Sequence, residues 1–98
     1  MPKSSDNTNY RILVVDDDDG ARHTIADMLD IFGHIADIAS TGQEALLMAQ
    51  KAQYDLLITD LGLPDISGEE IAKIIKGHNP DIPILLITGW GVQINIEK

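Results

Sequence analysis

The stretch "RILVVDDDDGARHTIADML", residues 11–29, places four consecutive aspartates directly after a run of aliphatic residues. Residues 12–15 have the length and the branched composition of a buried β-strand. Residues after Gly20 have apolar side chains at helical spacing instead. Four adjacent like charges repel one another, so this composition needs an explanation. The stretch predicts a strand that ends in an acidic turn and is followed by a helix.

Three further strands are predicted along the chain. Residues 56–58 and 84–87 are apolar without alternation, which is typical of parallel strands covered on both faces. Residues 34–39 form a weaker run that suits an edge strand. The predicted order is β-α-β-α-β-α-β, which indicates an α/β fold with a doubly wound parallel sheet.

Helical patterns separate these strands, and their ends carry recognisable signals. Capping-box spacing at Thr41 and at Ser67 predicts the start of the second and third helices. Gly33 is a stop signal for the first helix. Its predicted buried stripe consists of Ala21, Ile25, Met28, Leu29 and Phe32.

Composition narrows the class of protein. The chain has 98 residues, no cysteine and a net charge of −9, which predicts one small domain without disulfides or thiolate metal sites. The negative charge argues against nucleic acid binding by this segment. No apolar run approaches the length of a membrane span, so we expect no membrane contact and a cytoplasmic location. Residues 1–9 are polar and predict a disordered lead-in.

Polar side chains interrupt the apolar runs at strand ends. Asp16 and Asp17 follow the first predicted strand, Asp60 ends the third and Thr88 ends the fourth. Ligands bind beyond the carboxyl ends of strands in open parallel sheets. Three converging carboxylates would raise one another's pKa, and a hard divalent cation such as Mg²⁺ would relieve that cost. We therefore predict a magnesium site at this edge.

Helix capping is the simpler explanation of the four aspartates. Carboxylates suit a helix N-terminus, and we expect Asp18 and Asp19 to start the first helix in this way. Capping does not explain the acid at Asp60 or the hydroxyl at Thr88. We interpret the charged residues of this helix as a solvated face, namely Arg22, His23, Asp27 and Asp30.

The motifs "VVDDDDGAR", "DLLITDLGLPDISG" and "PILLITG" occur in this order, and together they resemble the receiver domain of two-component response regulators. The resemblance covers residues 11–91. It implies a flavodoxin-like sheet of order 2-1-3-4-5 and a switch controlled by phosphorylation.

The resemblance also implies roles for individual residues. Asp60 would accept a phosphoryl group from the phosphohistidine of a sensor histidine kinase or a histidine phosphotransfer protein, as in a phosphorelay. Asp16, Asp17 and Asp60 would hold Mg²⁺ together with the backbone carbonyl of Gly62. Such a domain catalyses its own phosphorylation and dephosphorylation without being a conventional turnover enzyme.

Further positions carry over from the family as expectations. The hydroxyl of Thr88 would bind the phosphoryl group and act as the switch. Gly62 and Trp90 would tune how fast water removes that group. Partner docking would involve residues around the start of the first helix, namely Asp18, Gly20, Ala21 and Thr24.

The chain departs from the family after the fourth strand. The family's phosphate-pairing lysine and aromatic switch residue have no counterpart here, and Lys98 comes too early for the former. Residues 10–98 are therefore interpreted as an incomplete receiver domain, truncated after the fourth strand. The segment after Thr88 is compatible with the start of a fourth helix. We expect the fourth strand to be an exposed edge through which the chain self-associates.

Two other functions remain open from the sequence. A receiver-like interaction module that is not phosphorylated would have the same fold, although such modules usually lack one of the acids, and all are present here. A fragment of a haloacid-dehalogenase-type phosphatase would use Asp17 as nucleophile and Thr88 at a later strand. That alternative leaves the motif around Asp60 unexplained.

Overall fold

The structure is a computed structural model that describes residues 9–88 and 91–95, with only the backbone described for Thr88 and residues 91–95. Strands and helices alternate up to the fourth strand. The elements are β1 Arg11–Val15, α1 Asp19–Ile31, β2 Ile35–Ala39, α2 Gly42–Lys51, β3 Leu56–Asp60, α3 Gly68–His78, β4 Ile84–Thr88 and β5 Gly91–Asn95.

The strands form one sheet in the order β2-β1-β3-β4-β5. Strands β1 to β4 are parallel, which confirms the predicted α/β fold with the order 2-1-3-4. Strand β1 lies between β2 and β3, so its apolar residues are covered on both faces. The carboxyl ends of the four parallel strands therefore meet at one edge of the sheet.

The segment after β4 differs from the expected start of a helix. Gly91–Asn95 pairs antiparallel with β4, and Thr88 lies opposite Gly91. Val92 and Ile94 alternate with Gln93 and Asn95, and this two-residue period favours a strand over a helix. Because β3 and β5 flank β4 on its two sides, the predicted free edge at β4 is wrong for the described strands. The self-association that we expected through that edge loses its basis.

The predicted helix ends are confirmed. The side chains of Asp18, Thr41 and Ser67 each cap a helix N-terminus by accepting a hydrogen bond from a backbone N–H three residues later. Gly33 follows α1 with φ of 89°, a left-handed conformation that suits glycine. Local sequence therefore determines where these helices begin and where α1 stops.

The core lies on both faces of the sheet. Leu13, Val15 and Leu57 face α2 and α3, and the opposite face of β1 and β3 packs against Ile25 and Leu29 of α1. Of the other predicted stripe residues on α1, Ala21 is half-buried, whereas Met28 and Phe32 are not core, because they are 53% and 73% exposed. Phe32 is the C-cap and lies beyond the last helical turn.

Two further predictions concern the N-terminal segment and the membrane. The predicted disordered lead-in lies outside the described residues apart from Asn9, which is exposed. Among the described helices, none combines the length and the apolar character needed to cross a membrane.

The start of α3 packs tightly against the end of β3. The backbone N–H of Gly68 donates to the carbonyl oxygen of Leu61 at 3.1 Å. A Cβ atom added to Gly68 would overlap the backbone carbonyl oxygen of Asp60. Glycine is required here because two backbone segments approach more closely than a side chain allows.

Gly68→Ala is expected to lower the free energy of unfolding by about 1–3 kcal/mol, because the new methyl group must displace the backbone of Asp60. Gly77→Ala in the same helix is the matched control, since a Cβ there meets nothing within 4 Å. It should raise stability by about 0.5–1 kcal/mol through helix propensity. Urea denaturation measures both values, and equal effects of the two changes would contradict the close approach.

Candidate functional site

Three carboxylates converge at the carboxyl edge of the sheet. Val15 of β1 is in register with Thr59 of β3, so the next residues, Asp16 and Asp60, lie at neighbouring strand ends. Asp17 follows in the turn that leads to α1. Each of the three acids offers one carboxylate oxygen, and these oxygens all lie within 4.8 Å of one another. The structure thus brings together the three side chains predicted as metal ligands.

Asp16 is the buried member of the group. Its residue is only 5% exposed, and its Oδ1 accepts a hydrogen bond from the backbone N–H of Asp18 at 3.0 Å. Burial raises the pKa of Asp16, and the negative charges of Asp60, Asp17 and Asp18 raise it further, while the hydrogen bond from Asp18 opposes the rise. Ionised Asp16 is therefore costly without a positive partner.

The donor set fits a hard divalent cation. All three side-chain ligands are oxygen atoms, and the described part of the chain places no nitrogen or sulfur ligand in the group. Mg²⁺ is a hard cation that proteins usually bind through one or more carboxylate oxygens, while it keeps several of its waters. A bound cation would offset both the burial of Asp16 and the repulsion from its two neighbours.

Asp60 is half-buried at the end of β3 and borders β4. One of its carboxylate oxygens accepts a hydrogen bond from the N–H of Gly62 at 3.4 Å. The next residue, Leu61, donates its backbone N–H to the carbonyl oxygen of Ile87 at 2.9 Å. Ile87 is the residue of β4 in register with Asp60, and Thr88 is the next residue along that strand. The hydroxyl of Thr88 and all of Trp90 lie outside the described residues.

Asp65 fastens the loop after Asp60 to helix α2. Its two carboxylate oxygens accept hydrogen bonds from the backbone N–H groups of Gly42 and Gln43, both at 2.9 Å. These bonds hold the pKa of Asp65 below its usual value. The sequence analysis did not single out this residue, because one more acid in a polar loop carries no local signal.

The predicted solvated charged face of α1 is wrong for Arg22, which is buried. His23, Asp27 and Asp30 are exposed as expected, whereas Arg22 is only 8% exposed. Its Nη1 donates to the backbone carbonyl of Asp16 at 2.8 Å, and its Nη2 pairs with Asp19. The i,i+3 spacing to Asp19 does not predict this burial, because Asp19 is exposed and the buried partner of Arg22 is a backbone carbonyl.

The predicted docking residues lie at the start of α1, next to the acidic group. Asp18, Gly20 and Thr24 are exposed and Ala21 is half-buried. Asp18 also caps the helix by accepting from Ala21 N–H at 2.9 Å, and Asp19 is the first helical residue, as expected for the two acids assigned to starting the helix. A docking role for this surface stays a prediction.

Asp16→Asn should raise the stability of the metal-free protein at neutral pH. The amide keeps an oxygen for the N–H of Asp18 and removes the costly charge. Because the folded-state pKa of Asp16 is raised, the folded chain binds its proton more tightly than the unfolded chain. The cost is absent below the unfolded pKa, grows as pH rises through the folded pKa and is complete above it.

Urea denaturation from neutral pH down to about pH 4 tests this sign. The advantage of Asp16→Asn over the parent chain should shrink as pH falls. Asp27→Asn, at an exposed position on α1, serves as the control for loss of one negative charge. A stability advantage that is constant with pH, or that Asp27→Asn reproduces, would contradict the assigned cause.

Comparison with known proteins places these features in a family. The model of the family described as "Response regulator receiver domain" matches residues 12–98. The chain is 47% identical over 70 residues to the sensor histidine kinase AtsR of Burkholderia thailandensis, covering 70% of this chain and 12% of AtsR. It is 37% identical over 80 residues to the response regulator MprA of Mycobacterium tuberculosis, covering 82% of this chain and 35% of MprA. The chain therefore spans only a minor part of these relatives.

Solved structures show the same architecture. The chemotaxis response regulator CheY4 of Vibrio cholerae is similar with a TM-score of 0.78 and 33% identity, over 82% of this chain and 68% of that chain. The response regulator TrrA of Thermotoga maritima, solved in complex with Mg²⁺-BeF, has a TM-score of 0.76 and 40% identity, over 81% of this chain and 69% of that chain. With its parallel sheet order, its strand-end aspartates and a family match that begins at residue 12, this chain belongs to the response regulator receiver domains.

Proposed function

We propose that this receiver domain accepts a phosphoryl group on Asp60 in a Mg²⁺-dependent reaction. The observation that supports this most is the convergence of three carboxylate oxygens within 4.8 Å at the strand ends. Membership of the receiver family supports a role in phosphorylation-dependent signalling by two-component systems. The same membership disfavours the haloacid-dehalogenase alternative.

Asp60 is the best placed of the three acids to act as the nucleophile. Asp16 is nearly inaccessible and its Oδ1 already accepts from Asp18. Asp60 is half-buried at the strand end, and its contact with Gly62 N–H is long. It can therefore expose one oxygen to a phosphodonor while the adjacent chain fixes its backbone. Asp17 is exposed in the turn and suits a metal ligand.

Asp16, Asp17 and Asp60 would hold the cation together with the backbone carbonyl of Gly62. When bound, Mg²⁺ neutralises charge on the phosphoryl oxygens and supports in-line transfer. The TrrA structure in complex with Mg²⁺-BeF is the relative that supports this assignment. The role of Asp16 and Asp17 is to present ionised oxygens in fixed positions beside Asp60.

The phosphoryl group is transferred from a phosphohistidine to the carboxylate of Asp60. A carboxylate oxygen of Asp60 forms a bond to phosphorus while the phosphorus–nitrogen bond of the donor breaks. The leaving imidazole nitrogen keeps the electron pair and takes up a proton from solvent. The donor is the phosphohistidine of a sensor histidine kinase or a histidine phosphotransfer protein in the cytoplasm.

Thr88, Gly62 and Trp90 would act after the transfer. The backbone of Thr88 follows directly after the partner of Asp60 in the β3–β4 register, so its hydroxyl is proposed to bind the phosphoryl group. Gly62 leaves open space, because a Cβ there would meet nothing within 4 Å. Water would therefore reach the phosphoryl group from this side, and Trp90 is proposed to adjust that access.

The start of α1 is proposed as the docking surface for the phosphodonor protein. It lies beside the acidic group, and most of its side chains are exposed. AtsR is named a sensor histidine kinase and MprA a response regulator, so relatives of this segment occur in both kinds of protein. The net charge of −9 makes nucleic acid an unsuitable partner for this segment.

Asp60→Asn is expected to abolish phosphorylation, because an amide cannot form the acyl phosphate, while its similar shape preserves the fold. Intact mass after incubation with acetyl phosphate, with and without Mg²⁺, measures the effect. The parent chain should gain one phosphoryl group only when Mg²⁺ is present.

Asp27→Asn is the matched control, because it removes one exposed carboxylate away from the strand ends. It should be labelled like the parent chain. Labelling retained by Asp60→Asn would refute the acceptor assignment. Absence of labelling in the parent chain would favour a receiver-like module that is not phosphorylated.

A further inference from the structure

Arg22 is a buried cation directly behind the acidic group. Among the described residues, Asp16, Arg22 and Thr59 are the only polar or charged residues that are buried. A guanidinium is costly to bury unless hydrogen bonds replace its hydration. Arg22 has two such contacts, one to the backbone carbonyl oxygen of Asp16 and one to the carboxylate of Asp19.

The two contacts differ in environment. The side chain of Asp19 is 83% exposed, whereas that of Arg22 is 9% exposed. An ion pair with one partner in water is screened and contributes little. The bond from Nη1 to the Asp16 carbonyl is 2.8 Å long and buried. This bond, rather than the ion pair with Asp19, is therefore the contact through which Arg22 holds the backbone at Asp16.

The carbonyl of Asp16 belongs to the peptide that joins Asp16 to Asp17. The backbone N–H of Asp16 donates to the carbonyl oxygen of Ala39 at 3.1 Å. Its side-chain Oδ1 accepts from the backbone N–H of Asp18 at 3.0 Å. Arg22 completes this set by fixing the peptide on the carboxyl side of Asp16. Rotation of that peptide would redirect the side chain of Asp17 and break the bond to Arg22.

We propose that Arg22 is a positioning residue that holds the Asp16–Asp17 peptide, and with it both carboxylates, in the orientation needed to bind a divalent cation. Arg22 does not itself contact the cation or the phosphoryl group. The inference rests on the proposed function only in taking Asp16, Asp17 and Asp60 as the Mg²⁺ ligands. Groups that orient metal ligands from behind commonly change metal affinity by about 10–100-fold when removed.

The test measures the Kd for Mg²⁺ by titration calorimetry on the full chain, with folding verified by circular dichroism under the same conditions. Arg22→Met removes both contacts and keeps an unbranched apolar side chain. It should weaken Mg²⁺ binding by about 10-fold or more. Arg22→Lys keeps the charge and one reachable donor, and it should recover part of the affinity.

Two matched variants separate positioning from general stability. Asp19→Asn removes the exposed ion pair and leaves the bond to Asp16, so it should keep the parent Kd within about 2-fold. Arg11→Met, at the opposite end of β1, breaks a partly exposed pair with Asp37 at 3.0 Å and removes the contact of the guanidinium with the Tyr54 ring. It should lower the midpoint of urea unfolding and leave the Kd for Mg²⁺ unchanged.

A folded Arg22→Met with the parent Kd would overturn the proposal, as would an equal loss of affinity in Arg11→Met. If Arg22→Met does not fold, Arg22→Gln replaces it. The glutamine amide ends two bonds short of the terminal nitrogens of arginine, so it should not reach the carbonyl of Asp16. Weakened binding by Arg22→Gln supports the proposal and an unchanged Kd overturns it. A parent chain that binds Mg²⁺ without accepting a phosphoryl group contradicts the proposed function alone. A parent chain that binds no Mg²⁺ contradicts both.

Discussion

The register between β1 and β3 is the constraint on which the site depends. Val15 pairs with Thr59 in a parallel ladder, so the next residue of each strand projects beyond the same edge of the sheet. Neighbouring strands are about 4.8 Å apart, which places Asp16 and Asp60 within reach of a single ion. A shift of one residue would turn one of these side chains to the other face. The buried apolar residues of both strands prevent such a shift, so the core also determines the geometry of the site.

The arrangement carries an electrostatic cost that the fold tolerates. Burial and three negative neighbours raise the pKa of Asp16, and the chain as a whole has a net charge of −9. The surroundings of Asp16 fix its geometry through the N–H of Asp18 and the guanidinium of Arg22. This pattern suits a site that is held ready for a cation and is stabilised when the cation binds.

Most of the sheet and the acidic group could be predicted from the sequence because their signals are local. Apolar runs that end in a polar residue predict the strand ends, and Thr41 and Ser67 predict the helix starts. The burial of Arg22 could not be predicted from the sequence, because it depends on how α1 packs against the end of β1, where Arg22 bonds to the carbonyl of Asp16. Phe32 was assigned to the core by periodicity, although the helix ends before it. The strand Gly91–Asn95 was not predicted because its alternation of apolar and polar residues is only five residues long, and its pairing with β4 is not visible in the segment itself.

Nuclear magnetic resonance can test directly whether the strand-end carboxylates form the cation site, by locating a bound cation on the chain. Mn²⁺, which accepts the same oxygen ligands as Mg²⁺, broadens signals of nearby nuclei when added in small amounts to the labelled protein. The backbone amides of residues 16–18 and 60–62 should broaden first, and Mg²⁺ should reverse the effect. Broadening centred on the exposed acids of α1, Asp27 and Asp30, would show that the strand-end carboxylates do not form the cation site.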